Sequence, residues 1–115
     1  RWTPTMAASI THRATGIALY SGTVVLAVWI FATALGAEAF RPVGAILSSP
    51  IGQMALSGYV WALIFHAFNG LRHLYWDQGR GLDLKSARAT ALAAFAASFG
   101  LAAVIVVAGL MNRAG

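Results

Sequence analysis

Apolar residues gather in three long runs, at residues 14–37, 51–71 and 89–111. Each is long enough to cross a bilayer as a helix, which takes about 20 residues. Charge marks their ends: Arg13 and Glu38 flank the first, Arg72 closes the second, and Arg88 and Arg113 flank the third. No acidic or basic side chain lies within them except His66. Scattered polar residues such as Thr15, Thr23, Ser57, Asn69 and Ser98 are tolerable where helices pack together in a membrane. The pattern predicts an all-α membrane protein: one domain of three transmembrane helices. Residues 40–50, with Pro42, Gly44, Ser48, Ser49 and Pro50, read as a loop, with the second helix starting near Pro50. Residues 72–88 are polar, with Gly79 and Gly81 as breakers, and Ser86 and Asp83 compete to cap the third helix.

Composition supports this reading. Only 10% of the 115 residues are charged and 59% are apolar, whereas soluble domains carry roughly a quarter charged. The abundance of Gly and Ala suits close helix packing. The formal charge of +5 would point to nucleic acid in a soluble protein. Here the cations flank apolar runs, so membrane topology explains them and no nucleic-acid partner is expected. Arg1, Arg13, Arg72, Arg80, Lys85 and Arg88 fall on one side of the three-span layout, and only Arg41 and Arg113 on the other. The positive-inside rule then puts the N-terminus in the cytoplasm or matrix and the C-terminus outside. Trp2, Tyr75 and Trp76 fit an aromatic belt on the inner side.

The segment HAFNGLRHLYWDQG, residues 66–79, carries the most chemistry. His66, Asn69, Gly70, His73 and Asp77 recur at steps of three or four, which aligns them on one helical stripe. Such a stripe is costly in lipid and should face a cofactor, a partner or water. His66 lies six residues inside Arg72, roughly 9 Å deep at 1.5 Å per residue. It reads either as an axial ligand to haem iron or as a histidine hydrogen-bonded to a neighbouring helix. His73 is about two turns shallower on the same helix, and His12 sits at the mouth of the first span. One helix cannot present both His66 and His73 to opposite faces of one iron. A haem held by His66 therefore takes its opposing ligand from another chain. Arg72, His73 and Asp77 read either as a charged helix end at the membrane surface or, for Arg72 or His73, as cationic partners of haem propionates.

A second constellation lies in RWTPTMAASITHRATG. Ser9 and Arg13 are four apart and share a helix face, with His12 on the adjoining edge. The group suits a quinone, whose oxygens would accept hydrogen bonds from hydroxyl and guanidinium groups, with Trp2, Met6 and Ile10 as apolar walls. The same residues also suit a capped helix start with a snorkelling arginine. The chain has no cysteine, no glycine-rich nucleotide loop and no nucleophile-elbow pattern. Iron–sulfur and flavin chemistry therefore lie outside it. In redox chemistry it would accept electrons from a partner.

Both motifs resemble those of one family. SITHRATG, residues 9–16, resembles the S-x-x-H-R-x-[ST]-G signature of the succinate dehydrogenase cytochrome b556 subunit. Residues 66–79 match that family's H-x-x-x-G-[aliphatic]-R-H-[aliphatic]-x-[aromatic]-D-x-G pattern at every fixed position. The stretches RWTPTMAASITHRATGIAL and FNGLRHLYWDQGRGL are most similar to its mitochondrial and alphaproteobacterial branch. The family's N-terminal R-P-x-S-P-H segment is missing, and the chain begins with Arg1 just where it would end, so truncation or disorder is expected.

The resemblance implies a non-flavin subunit of succinate:quinone oxidoreductase, respiratory complex II, with no complete catalytic centre of its own. A flavoprotein and an iron–sulfur subunit would pass electrons from succinate to ubiquinone. Two membrane anchors would share one haem b, with one histidine from each. His66 would be this chain's axial ligand. His12, Arg13 and His73 would lie near the propionates. Ser9 and Arg13, with Ile10, Trp2 and Met6 as walls, would form part of the ubiquinone pocket, and a proton-donating tyrosine would come from the other anchor. The expected location is the bacterial cytoplasmic (inner) membrane, or the mitochondrial inner membrane in a eukaryote. The alternatives are a haem-free quinone-reductase anchor with His66 only hydrogen-bonded, and a transporter or proton-channel subunit with His66 and Asn69 along a polar path.

Overall fold

The computed structural model describes residues 2–114, so Arg1, counted above on the inner side, lies outside them. Four helices follow in order: α1 (Pro4–Leu35), α2 (Ala37–Ser48), α3 (Pro50–Asp77) and α4 (Leu84–Ala114). Three of them, α1, α3 and α4, are long and apolar enough to cross a membrane, in agreement with the three expected spans.

All three helices outrun their apolar cores. Helix α1 begins ten residues before the first apolar run, because Thr3 accepts a hydrogen bond from the Met6 N–H (3.1 Å) and Pro4 follows at the first helical position. Ser49 repeats this at the start of α3, accepting from Gly52 N–H (3.1 Å) ahead of Pro50. Helix α3 runs on to Asp77, so the whole stripe from His66 to Asp77 is helical. Gly79 and Gly81, at φ of 75° and 66°, then turn the chain through a region that side chains with a Cβ disfavour.

The competition at the start of α4 resolves to Asp83. Its carboxylate accepts from Ser86 N–H (3.0 Å) and its carbonyl from Ala87 N–H (2.9 Å), which makes Ser86 the third helical residue and not the cap. The Ser86 N–H also holds the Asp83 carboxyl below its ordinary value of 3.8. A folded value below the unfolded one means the cap contributes above the ordinary carboxylate range and is lost as pH falls through the lowered value. Asp83→Ala should therefore fray the first turn of α4 at neutral pH. Faster amide exchange at Ser86 and Ala87 would register it; parent-like protection would remove the cap from the account.

The expected loop at residues 40–50 is instead the helix α2, which corrects the sequence reading. Pro42 lies inside it and costs only one intrahelical bond near the start. Phe40, Val43 and Leu47 form a half-buried face at helical spacing, packed on α1 and α3, while the opposite face carries the Glu38–Arg41 ion pair at 2.7 Å. Turn-forming residues misled the reading because that apolar face is completed only by the neighbouring helices.

Helices α3 and α4 form the tightest pair. Ala87, Ala91, Ala94, Ser98 and Ala102 make a buried small-residue seam on α4. Against it α3 sets Ala62, Phe65, Asn69 and Arg72. Small side chains let the backbones approach, and the aromatic groups fill the remaining space. Phe65 meets Phe95 with ring centroids 4.8 Å apart, and Trp61 stacks on Phe99 at 5.0 Å while donating to Ser98 Oγ at 3.1 Å. Helix α1 buries only Ala8, Thr15 and Ala32, leaving an apolar face of Ile17, Val24, Val28 and Phe31 exposed to lipid or to another chain.

Candidate functional site

The start of α1 lies against the second half of α3, and there all three histidines meet. His12 and His66 stack face to face, with centroids 3.9 Å apart and planes 9° from parallel. His73 approaches the edge of His12 at 5.0 Å and in turn meets Trp76 edge-on at 5.1 Å. From the sequence His12 was expected at the mouth of the first span, shallower than His66. Because α1 starts at Pro4, His12 lies about two turns into the helix and its ring sits directly on that of His66.

This stacking decides what the pair can do. A metal-binding lone pair lies in the plane of an imidazole ring, so two parallel stacked rings cannot aim at one ion between them. Only one of the two can serve as an axial ligand in this arrangement. His66 is held by α1: its Nδ1 lies 3.1 Å from Thr15 Oγ1, and the Thr15 hydroxyl also donates to the His12 carbonyl at 3.0 Å. Gly16 leaves the space beside the ring, since a Cβ there would stand 3.2 Å from His66 Cε1.

Below the histidines, Arg72 is 4% exposed. Its guanidinium donates to Thr90 Oγ1 (3.0 Å), Asn69 Oδ1 (3.2 Å) and the Ala87 carbonyl (3.1 Å), and its carbon lies 4.0 Å over the Trp76 ring. The sequence left Arg72 open as a surface charge or a propionate partner. The structure makes it a buried clamp between α3 and α4, with its fork engaged inside the chain. Trp76, expected in the aromatic belt, lies under that guanidinium and donates to the Gly81 carbonyl at 3.0 Å. Asn69 is fully buried and also reaches His73 Nε2 at 3.4 Å. The polar stripe thus splits: Asn69 joins the α3–α4 clamp, His66 and His73 face α1, and Asp77 is exposed.

The five residues assigned to a quinone lie along the first turns of α1 and just before it. Met6 (43% exposed), Ile10 and Arg13 are exposed, Ser9 is half-buried, and Trp2 stands 73% exposed ahead of the helix. They form an open ridge next to the histidine cluster rather than an enclosed pocket. Two open apolar clefts lie elsewhere, one between α1 and α2 along Val24, Phe31 and Val43, the other along α4 at Val104 and Val107.

Thr15 and Thr90 were not singled out as functional from the sequence. Thr15 occupies the [ST] position of SITHRATG, so a signal for it was present. Thr90 carries none, because its role depends on which face of α4 meets α3.

The donor set fits one axial ligand to haem. Although the three histidines cluster, among the described residues no group of three or more His, Cys, Asp or Glu side chains is placed to hold a metal ion, as a self-contained metal centre would need. A haem needs only one or two protein ligands. His66 would supply one, and the buried His12 Nδ1 beside it has no hydrogen-bond partner among the described residues. That unpaired donor or acceptor suits a group brought by a cofactor or another chain.

Residues 1–106 match the family described as succinate dehydrogenase/fumarate reductase transmembrane subunit. The chain is 36% identical over 99 residues to the succinate dehydrogenase cytochrome b556 subunit of Paracoccus denitrificans, covering 86% of this chain and 76% of that protein. It is 36% identical over 86 residues to the mitochondrial cytochrome b560 subunit of Sus scrofa, covering 73% of this chain and 51% of that one. The cytochrome b556 subunit of Rickettsia bellii is 32% identical over 82 residues, covering 71% of this chain and 63% of the relative. The chain thus spans only part of each, about half in the mammalian case.

Proposed function

The chain belongs to the succinate dehydrogenase/fumarate reductase transmembrane subunit family, and on that premise we propose that it is a haem b-binding anchor of complex II that helps form a ubiquinone-reduction site. The observation that carries the reading is the stacked His12–His66 pair, two near-parallel imidazoles that cannot both face one iron, so that His66 would act as a single axial ligand. The site would be half of a centre, with a histidine of a second membrane anchor supplying the other ligand. Haem b, when bound, takes up and gives back one electron.

His66 would hold the iron from α3. His73, half-buried, and Arg13, exposed, lie at the same end and would bind the propionates with His12. On the ridge of α1, Ser9 and Arg13 donate hydrogen bonds to the oxygens of ubiquinone and stabilise charge as it develops there. Trp2, Met6 and Ile10 cover its ring, and chains of the iron–sulfur subunit and second anchor close the open side of the ridge. The flavoprotein supplies the electrons through the iron–sulfur subunit. The histidine end faces the cytoplasm or matrix, as the cation count predicts, in a bacterial cytoplasmic or mitochondrial inner membrane. Asn69, which would line a transport path past His66, is instead buried and bonded to Arg72 and His73, which weighs against the channel alternative.

The intact complex should co-purify with a flavoprotein and show a b-type band in its dithionite-reduced minus oxidised spectrum. A complex without that band would leave only the haem-free anchor. Arg13→Ala should lower succinate:quinone reductase activity roughly 10- to 100-fold, the worth of one charge-assisted hydrogen bond. Reduction of an artificial dye by the flavoprotein should stay unchanged. Quinone reduction at the parent rate would remove Arg13 from the site.

A further inference from the structure

One contact at the histidine cluster bears on the electronic state of His66 itself. Thr15 Oγ1 lies 3.0 Å from the His12 carbonyl and 3.1 Å from His66 Nδ1. A threonine hydroxyl has one proton to give, and a carbonyl can only accept. Both contacts are satisfied together only when the hydroxyl donates to the carbonyl and His66 Nδ1–H donates to the hydroxyl oxygen. That arrangement leaves the proton on Nδ1 and the lone pair on Nε2, the tautomer that a metal-binding imidazole requires when it coordinates through Nε2.

Thr15 is also fixed in place. It is 4% exposed, and its bond to the His12 carbonyl one turn back locks its hydroxyl. Gly16, the next residue, leaves the ring room to lie against α1. The acceptor for Nδ1–H is therefore set by the backbone of α1, and not by a mobile side chain or by water.

We propose that Thr15 is the positioning residue for the His66 ligand: it selects the Nδ1–H tautomer, sets the ring orientation and makes Nε2 a better donor to iron. The proposal rests on the reading of His66 as an axial ligand. A hydrogen bond from Nδ1–H raises the basicity of a ligating imidazole, and partners of this kind typically contribute 10- to 100-fold to metal affinity. A more basic ligand favours the oxidised iron, so loss of the bond should raise the haem midpoint potential.

The test uses the intact complex carrying Thr15→Val, which keeps volume and branching but removes the hydroxyl. Expected are haem loss to excess apomyoglobin at least roughly 10-fold faster than the parent and a more positive midpoint in a redox titration. Thr15→Ser should retain parent values for both. Where Thr15→Val does not assemble, Thr15→Ala removes the same hydroxyl without added bulk and is held to the same values. Parent-like haem retention and potential without the hydroxyl would overturn the proposal. So would a Thr15→Ser complex displaced as far as Thr15→Val, since the methyl group would then be responsible. His66→Ala separates the two layers. If it keeps a haem with two histidine ligands, the ligand reading itself fails. If it loses haem while Thr15→Val behaves as the parent, only the role of Thr15 fails.

Discussion

A complex carrying His66→Ala is expected to lose its b-type absorbance while the flavoprotein still oxidises succinate with an artificial dye. The expected loss of haem affinity exceeds the 10- to 100-fold typical when only an outer partner of a ligand is removed, because the iron–nitrogen bond itself is gone. Neither neighbouring histidine can substitute. His12 is stacked 3.9 Å from His66 with its plane nearly parallel, so its nitrogens face along the stack edge and not across it. His73 sits seven residues along α3, about two turns away, and is engaged with Asn69 and Trp76. Full haem content in the variant would show that the ligand lies elsewhere and would leave His66 as a hydrogen-bonded packing residue.

The second large effect concerns assembly rather than chemistry. Arg72→Lys should destabilise the complex by about 3 kcal/mol, read as a lower midpoint of thermal haem loss in detergent. Lysine keeps the charge at a site that is 4% exposed but cannot reproduce the planar fork. Three donations, to Asn69, Thr90 and the Ala87 carbonyl, reduce to one or two, and the face over Trp76 is lost. Asn69, itself fully buried, then has an unpaired oxygen, and its hold on His73 loosens. The effect should therefore extend to the histidine end of the bundle. A thermal midpoint equal to the parent's would mean that the small-residue seam of α4 holds α3 without the clamp.

These two residues differ in how far the sequence revealed them. His66 stands out because it is the only histidine within a membrane-length apolar run, and burying such a group in lipid without a role is costly. Arg72 looked like the charged end of that run. Its burial depends on the rotation of α4, which brings Thr90 and the Ala87 carbonyl under the guanidinium. Similarly, Pro42, Gly44 and two serines signalled a loop, but the apolar face of Phe40, Val43 and Leu47 found partners on α1 and α3 and became α2.

By itself the sequence determined that the chain has three membrane-length helices, one histidine at depth in the second, and two polar motifs at the same end. Hydropathy, periodicity and capping act within one or two helical turns, so they are written locally. Only the tertiary structure decided that His12 lies on the ring of His66, that Thr15 bonds its Nδ1, and that Arg72 turns inward. Those facts depend on how far each helix is rotated and shifted against its neighbours. For Arg72 it is the α4 seam of Ala87, Ala91, Ala94 and Ser98 meeting Phe65 and Asn69 of α3, and α1 packs into the same core through Ala8, which clusters with Phe65, Ala91 and Ala94. No local pattern encodes it.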